Sequence, residues 1–197
     1  PDLGDLSVRD GVEVTTNASG GARTIDGRFT DRVVAGTADA AAVMNEFAPA
    51  LGAAAGFADP ASITVTRAGT GDTAENFYRF TEKIGGIEVL GSDVIVVTDG
   101  AGAVTGLVNN YRGLSGAFDI TPDAAVDDDT EVDLIAGRAY LGAGATHYAV
   151  KCFVARSTFT RQLVVDALDD QGTPMLAWRV VVQLPARRLT PGATYLI

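Results

Sequence analysis

The sequence predicts an α+β protein made of two small modules, each an antiparallel sheet with a packed helix. Segments in which apolar and polar residues alternate recur along the chain, and this period of two indicates half-buried strands. Two other segments carry apolar residues three or four positions apart, which is the spacing of amphipathic helices. The chain has 197 residues, of which 47% are hydrophobic and 20% are charged. This composition is that of a globular protein long enough to bury a core.

A strand pair between residues 76 and 97 is the centre of this prediction. In its first strand, Tyr78 and Phe80 fall on one face and Arg79 falls on the other. Gly85-Gly86 can adopt positive φ angles at little steric cost, so we expect the chain to reverse there.

The strands around this pair follow from the same pattern. Apolar residues occupy both faces of the second strand from Val94 to Val97, which indicates a central strand covered on each side. The turn pair Asp99-Gly100 precedes a third strand from Ala103 to Asn109. Further strands are predicted at residues 12–16, 22–30 and 63–67.

Two helices are predicted. The first begins with Thr37 as the N-cap, carries Val43 and Phe47 on its apolar stripe, and ends near Ala48 because Pro49 lacks a backbone N–H. The second follows a capping box formed by Asp128 and Glu131, and its stripe consists of Val132, Ile135, Ala136 and Ala139.

The C-terminal third is predicted to form three strands, His147–Ala155, Thr160–Leu168 and Met175–Leu184. Cys152 alternates with its neighbours in the first of these, which favours a small buried apolar residue over a reactive thiol. As the single cysteine, it excludes an intrachain disulfide.

The charge of the chain limits its partners. The net charge is −10, which argues against nucleic acids and anionic membranes as partners. We expect the chain to be a monomer when it is isolated. No apolar run approaches the ~18 residues that cross a bilayer. Asp127-Asp128-Asp129 lacks the spacing of a calcium loop and fits a solvated loop that caps a helix.

The residues do not point to an enzyme. His147 is the single histidine, whereas a zinc peptidase site such as His-Glu-x-x-His needs two histidines on one helical face. No serine stands in a Gly-x-Ser-x-Gly elbow that could use His147 as a base. We therefore expect no catalytic residue, no metal site and no cofactor in this chain. An enzyme in its own right stays open only if a cleft holds clustered carboxylates with raised pKa values.

Two motifs resemble known modules. Tyr78-Arg79-Phe80 is followed by Gly86-Ile87-x-Val89-x-Gly91-Ser92, an apolar strand and Asp99-Gly100. Together they resemble the FTP module, the propeptide module of secreted fungalysin- and thermolysin-type zinc metallopeptidases. Met175-Leu176-Ala177-Trp178-Arg179-Val180 resembles the strand of a PepSY module, which follows the FTP module in such pro-regions. The family positions marked by these motifs are Tyr78, Phe80, Gly86, Val89, Gly91, Leu176, Trp178 and Val180.

The resemblance implies a domain order. Residues 1–36 form a β lead-in, 37–113 the FTP-like module, 114–126 a linker and 127–197 the PepSY-like, cystatin-like module. Glu82 stands where the family often has glutamine or another polar residue. In the family, a strand like the segment from Ala193 to Ile197 is normally followed by an Asp-Ala…Gly turn, which this sequence lacks.

The resemblance also implies a function. The chain would be the secreted, extracellular pro-region of such a peptidase, acting as an intramolecular chaperone and steric inhibitor. Its partner would be the cognate catalytic domain, which would hold zinc and calcium. The tail residues Tyr195, Leu196 and Ile197 would contact that domain. The alternative is a free-standing extracellular protein-binding or adhesion module on the same fold.

Overall fold

The computed structural model describes residues 3–7, 10–53, 56–114, 120–121, 129–166, 174–184 and 192–197. The chain divides into two compact units. The first comprises Pro1–Glu82 and Gly91–Ser115, and the second comprises Lys83–Leu90 and Gly116–Ile197. Helices and strands occur in both units, which confirms the predicted α+β class.

The first unit contains two helices, two single-turn 3-10 helices and six strands among its described residues. Their bounds are α1 (Leu3–Ser7), β1 (Glu13–Thr16), β2 (Ala22–Asp26), α2 (Thr37–Phe47), 3-10 turns at Pro60–Ser62 and Gly71–Thr73, β3 (Ile63–Ala68), β4 (Glu75–Ile84), β5 (Ile87–Asp99) and β6 (Val104–Asn109). The second unit takes the start of β5 and the end of β4. It adds α3 (Asp129–Leu141), α4 (His147–Val154), β7 (Thr158–Asp166), β8 (Met175–Gln183) and β9 (Ala193–Leu196).

The sheet of the first unit runs in the order β1-β2-β6-β5-β4-β3, and its resolved registers are antiparallel. β5 is central, as predicted, because it lies between β4 and β6. Its two faces differ: Val94 and Val96 are fully buried, whereas Ile95 and Val97 are half-buried. The second face is therefore less covered than the apolar pattern predicts.

Helix α2 covers the buried face of this sheet. Val43, Met44 and Phe47 form its buried stripe, and Phe47 meets Phe29 edge to face with ring centroids 4.9 Å apart. The helix ends at Phe47, two residues before Pro49, as predicted.

The start of α2 differs from the prediction by one position. The N-cap is Gly36, and Thr37 is the first residue of the helix. The Asp39 carboxylate, in the first turn of the helix, accepts a hydrogen bond of 2.9 Å from the Ala35 amide. The polar side chain that stabilises the start of α2 is therefore Asp39 rather than Thr37.

Glycine turns join the strands where the sequence predicts reversals. Gly85 and Gly86 have φ angles of 55° and 88°, which residues with a Cβ atom adopt only at a steric cost. At the next reversal, the Asp99 carboxylate accepts hydrogen bonds from the amides of Ala101 and Ala103. Both reversals follow from local chemistry, which explains why the sequence alone predicts them.

In the second unit, β7, β8 and β9 form an antiparallel meander. Glu88 and Val89 at the start of β5 pair in parallel with Val164 and Val165 of β7, a pairing that the sequence does not predict. The core consists of Val132, Ala136, Val180 and Val182, with Phe153, Phe159, Trp178, Tyr195 and Ile197 packed against it.

The predicted strand His147–Ala155 is wrong, because residues 147–154 form helix α4. Its N-cap Thr146 accepts a hydrogen bond from the Ala149 amide at 3.2 Å. Tyr148 and Cys152 lie one helical turn apart, and the interaction of the Tyr148 phenol with the Cys152 thiol raises the pKa of Tyr148. Cys152 is half-buried rather than buried. The third strand of the meander is instead β9.

Gly137 lets α3 and α4 approach each other closely. A Cβ atom at this position would lie 3.0 Å from a methyl carbon of Val154 and 3.4 Å from Phe153 and Val150. We expect Gly137→Leu to lower the free energy of unfolding by about 2 kcal/mol through overpacking. Urea denaturation measures this change. Ala139→Leu on the exposed side of the same helix is the control, and an equal loss there would contradict the packing argument.

Candidate functional site

The FTP-like motif residues on β4 lie in the core. Tyr78 and Phe80 are 5% and 7% exposed. The Phe80 ring lies edge-on to Phe57 with centroids 5.4 Å apart, and Phe57 also contacts Tyr111 at 5.0 Å. These aromatic contacts therefore hold β4 against the rest of the first unit, and the buried side chains of Tyr78 and Phe80 are not available to a partner.

Glu82 is the polar centre of this region. Its carboxylate is buried and accepts hydrogen bonds from the Ser92 hydroxyl and from the Leu114 amide, the latter at 3.1 Å. The Ser92 hydroxyl in turn accepts from the Arg112 amide at 2.8 Å. Glu82 and Ser92 thereby fix the chain after β6 to the middle of the sheet, a role that the sequence did not reveal.

Tyr111 lies beside this network. Burial raises the pKa of Tyr111, and the negative charge of Glu82 raises it further. A raised pKa in the folded state favours folding while the phenol is protonated. We therefore expect the free energy of unfolding to decrease as the pH rises above about 10, where the unfolded phenol ionises.

Tyr111→Phe removes this ionisation, so the variant should lose less stability than the parent between pH 9 and 11. Urea denaturation at several pH values measures the difference. Tyr140→Phe, which removes a phenol hydroxyl from the second unit instead, is the control. Parallel pH profiles for the parent and Tyr111→Phe would contradict the assignment.

The other face of this strand pair carries an ion pair. The Arg79 guanidinium donates to the Asp93 carboxylate, which also accepts from the Asn110 side-chain amide at 2.9 Å. The Asn110 backbone amide donates to the Asp93 carbonyl at 2.8 Å. The Arg79 side chain is 51% exposed whereas Asp93 is buried, so Arg79 and Asn110 satisfy a buried carboxylate close to the surface.

The remaining FTP-like positions shape the strand pair. Gly86 makes the reversal, and Val89 is fully buried. Gly91 has a φ angle of 67°, and the alternation of buried residues along β5 changes phase beside it, as at a glycine bulge. These positions set the backbone and the core of the motif.

The PepSY-like positions lie on β8. Val180 is fully buried, Leu176 and Trp178 are half-buried, and Trp178 packs against the core of the second unit. Val180 lies opposite Tyr195 of β9. The helix that precedes this meander in the prediction corresponds to α3, and α4 is an additional helix.

The three predicted tail residues do not share one environment. Tyr195 and Ile197 are half-buried and pack against the core of the second unit, whereas Leu196 is 41% exposed. Within the described parts of the chain, β9 pairs with β8 alone, and its other edge is open. The tail is thus an edge strand that offers one side to a partner.

The backbone groups on that open edge can be identified. Trp178 and Ile197 exchange two backbone hydrogen bonds of 2.7 and 3.0 Å. In an antiparallel pair, residues that exchange such bonds alternate with residues whose backbone groups point outward. The N–H and C=O groups of Thr194 and Leu196 therefore point away from β8.

No three His, Cys, Asp or Glu side chains lie close enough together to hold a metal ion in the part of the chain that the structure describes. His147 is the exposed first residue of α4. None of the described helices has the length and apolar character needed to cross a membrane. Asp127, Asp128 and most of the predicted linker lie outside the described residues.

One polar site of the second unit was missed by sequence reasoning. Arg161 on β7 donates two hydrogen bonds of 2.7 Å to the Asp133 carboxylate and one of 3.0 Å to Asp129. The hydrogen bonds and charge of Asp133 raise the pKa of Arg161. The partners are 28 and 32 residues apart along the chain, and only their tertiary arrangement brings them together.

The chain was compared with known proteins. None of the curated proteins matches it. Residues 63–111, which run from β3 to Tyr111 and contain the predicted Tyr78, Phe80, Gly86, Val89 and Gly91, match a protein family described as the Fungalysin/Thermolysin Propeptide Motif. This segment of the chain is therefore similar to the propeptides of fungalysin- and thermolysin-type peptidases.

Proposed function

We propose that this chain is the pro-region of a secreted zinc metallopeptidase and serves as its intramolecular chaperone and steric inhibitor. The match of residues 63–111 to the propeptide motif is the observation that carries this proposal. The PepSY-like strand on β8, which follows this motif in the expected order, supports it. Zinc and calcium would be bound by the peptidase domain.

The inhibitory contact that we propose is the open edge of β9. The outward N–H and C=O groups of Thr194 and Leu196 can pair with an extended backbone in the peptidase cleft, as in strand addition. Leu196 is exposed and can reach a subsite, whereas Tyr195 and Ile197 anchor the strand to its own core. Affinity would therefore come mainly from the backbone.

The chaperone role has a thermodynamic basis. A pro-region that binds the native peptidase domain but not its unfolded chain shifts the folding equilibrium toward the native state. At a pro-region concentration 100 times the dissociation constant, this shift amounts to about 2.7 kcal/mol. A pro-region with its own core, as the two units of this chain have, would supply the required preformed surface.

The direct test mixes this chain with the peptidase domain encoded with it. We expect inhibition of peptide hydrolysis at micromolar concentration and a higher yield of active peptidase after refolding from denaturant. The absence of both effects would overturn the proposal. A coding sequence without a downstream His-Glu-x-x-His would instead favour the alternative, a free-standing protein-binding module.

The edge-strand contact has its own test. Thr194→Pro and Leu196→Pro each remove one outward N–H and leave the bonds between β8 and β9 intact. We expect each variant to raise the inhibition constant at least about tenfold, because one backbone hydrogen bond is lost and the proline ring clashes with the peptidase. The controls are Thr194→Ala and Leu196→Ala, which keep the N–H groups. Unchanged inhibition by folded proline variants, judged by circular dichroism, would exclude this edge as the contact.

A further inference from the structure

The second unit carries a groove of about 320 Å³ at the ends of α3 and α4. Leu141, Phe153 and Leu184 supply apolar walls, and Cys152 also lines the groove. Known small-molecule sites are concave, mostly apolar and about 300–1,000 Å³ in volume, with a few polar groups that orient the ligand. The groove fits this description at its lower limit.

Two of the residues that line the groove, Arg156 and Ser157, have polar side chains. Arg156 and Ser157 are neighbours in the turn between α4 and β7, so both reach the groove from the same side. Arg156 is exposed, and neither side chain has an ion pair or a hydrogen-bond partner within the described parts of the chain. A cationic hydrogen-bond donor and a hydroxyl group are thus available to a ligand in the apolar groove.

The charge pattern around the groove is opposite to that of the whole chain. Residues 134–165 contain four arginine or lysine residues and no acidic residue, although the net charge of the protein is −10. Arg161 is paired with Asp133 and Asp129. No described residue forms an ion pair with Arg138, Lys151 or Arg156, so this region favours an anion.

We propose that the groove binds an aliphatic monocarboxylate, that is, a single fatty acyl chain with a free carboxylate. The acyl chain would lie along Leu141, Phe153 and Leu184, and the carboxylate would accept hydrogen bonds from Arg156 and Ser157. The volume suits one chain and not a two-chain lipid. The few polar groups do not suit a nucleotide or a sugar. This site does not depend on the proposed peptidase partner.

Calorimetric titration of the whole chain with decanoate, below its micelle concentration, tests the proposal. We expect saturable binding, and octanoate should bind about fifteenfold more weakly because each buried methylene contributes about a factor of four. Arg156→Gln should weaken decanoate binding about tenfold and leave decanol binding unchanged. Arg67→Gln, at an exposed arginine of β3 in the first unit, is the matched control and should bind decanoate as the parent does.

A second measurement needs no variant. Cys152 is the single cysteine of the chain and lines the groove. Decanoate should slow its alkylation by a maleimide in proportion to occupancy, at the concentrations found by calorimetry. Decanol binding as tightly as decanoate, tighter binding of a peptide with a C-terminal phenylalanine, or an unchanged alkylation rate at saturating decanoate would each overturn the proposal.

Discussion

Phe47→Ala is expected to lower the free energy of unfolding of the first unit by about 3–5 kcal/mol, the range for aromatic truncations in cores. Phe47 is 2% exposed and packs edge to face against Phe29. Truncation removes both the buried ring and this aromatic contact and leaves a cavity under α2. Urea denaturation followed by far-ultraviolet circular dichroism measures the loss.

Tyr148→Ala is the matched control because it also removes an aromatic ring from a helix. Tyr148 is 79% exposed, so this change should cost less than about 1 kcal/mol. A similar cost for the two variants would mean that Phe47 does not lie in a closely packed core.

Asp133→Ala is expected to lower the stability of the second unit by about 2–3 kcal/mol. Asp133 is 8% exposed and accepts hydrogen bonds from Nε and Nη2 of the Arg161 guanidinium. Removing one partner of a buried ion pair costs about 3–5 kcal/mol because the other charge stays buried without a counterion. The cost should be lower here, since Arg161 is partly exposed and keeps Asp129. The fluorescence of Trp178, the single tryptophan, reports the unfolding of this unit.

Asp129→Ala removes the other carboxylate from the same arginine. The Asp129 side chain is 66% exposed, so its pair with Arg161 should contribute less than about 1 kcal/mol. The double variant Asp133→Leu with Arg161→Met should recover most of the loss, as hydrophobic replacements of buried pairs do. Equal effects of the two aspartate variants would contradict the assigned burial of Asp133.

The sequence suggested which residues could contact a peptidase, but not how buried each of them is. Tyr195, Leu196 and Ile197 are adjacent, and their alternation packs two half-buried side chains against the core and leaves Leu196 exposed. Which edge of β9 is open depends on its pairing with β8, which the local sequence pattern of β9 does not specify. Contact with a peptidase stays a prediction.

Helix α4 shows why the predicted strand at His147–Ala155 was wrong. His147–Val154 is short and apolar on most positions, and such a segment satisfies the pattern of a buried strand as well as that of a helix. Thr146 as the N-cap favours the helix locally. Gly137 then allows Val150, Phe153 and Val154 to pack closely on α3, which only the folded chain makes possible.

The amino-acid sequence by itself determined the α+β class, the reversals at Gly85-Gly86 and Asp99-Gly100, the end of α2 before Pro49 and the propeptide-like motif of β4 and β5. These features depend on backbone chemistry and on periodicity within a few residues. Tertiary structure decided the Arg161–Asp133 pair, the Glu82–Ser92 network, the open edge of β9 and the groove beside Arg156. Each of these depends on contacts between separate segments of the chain. The conformational preferences of a few neighbouring residues do not determine such contacts.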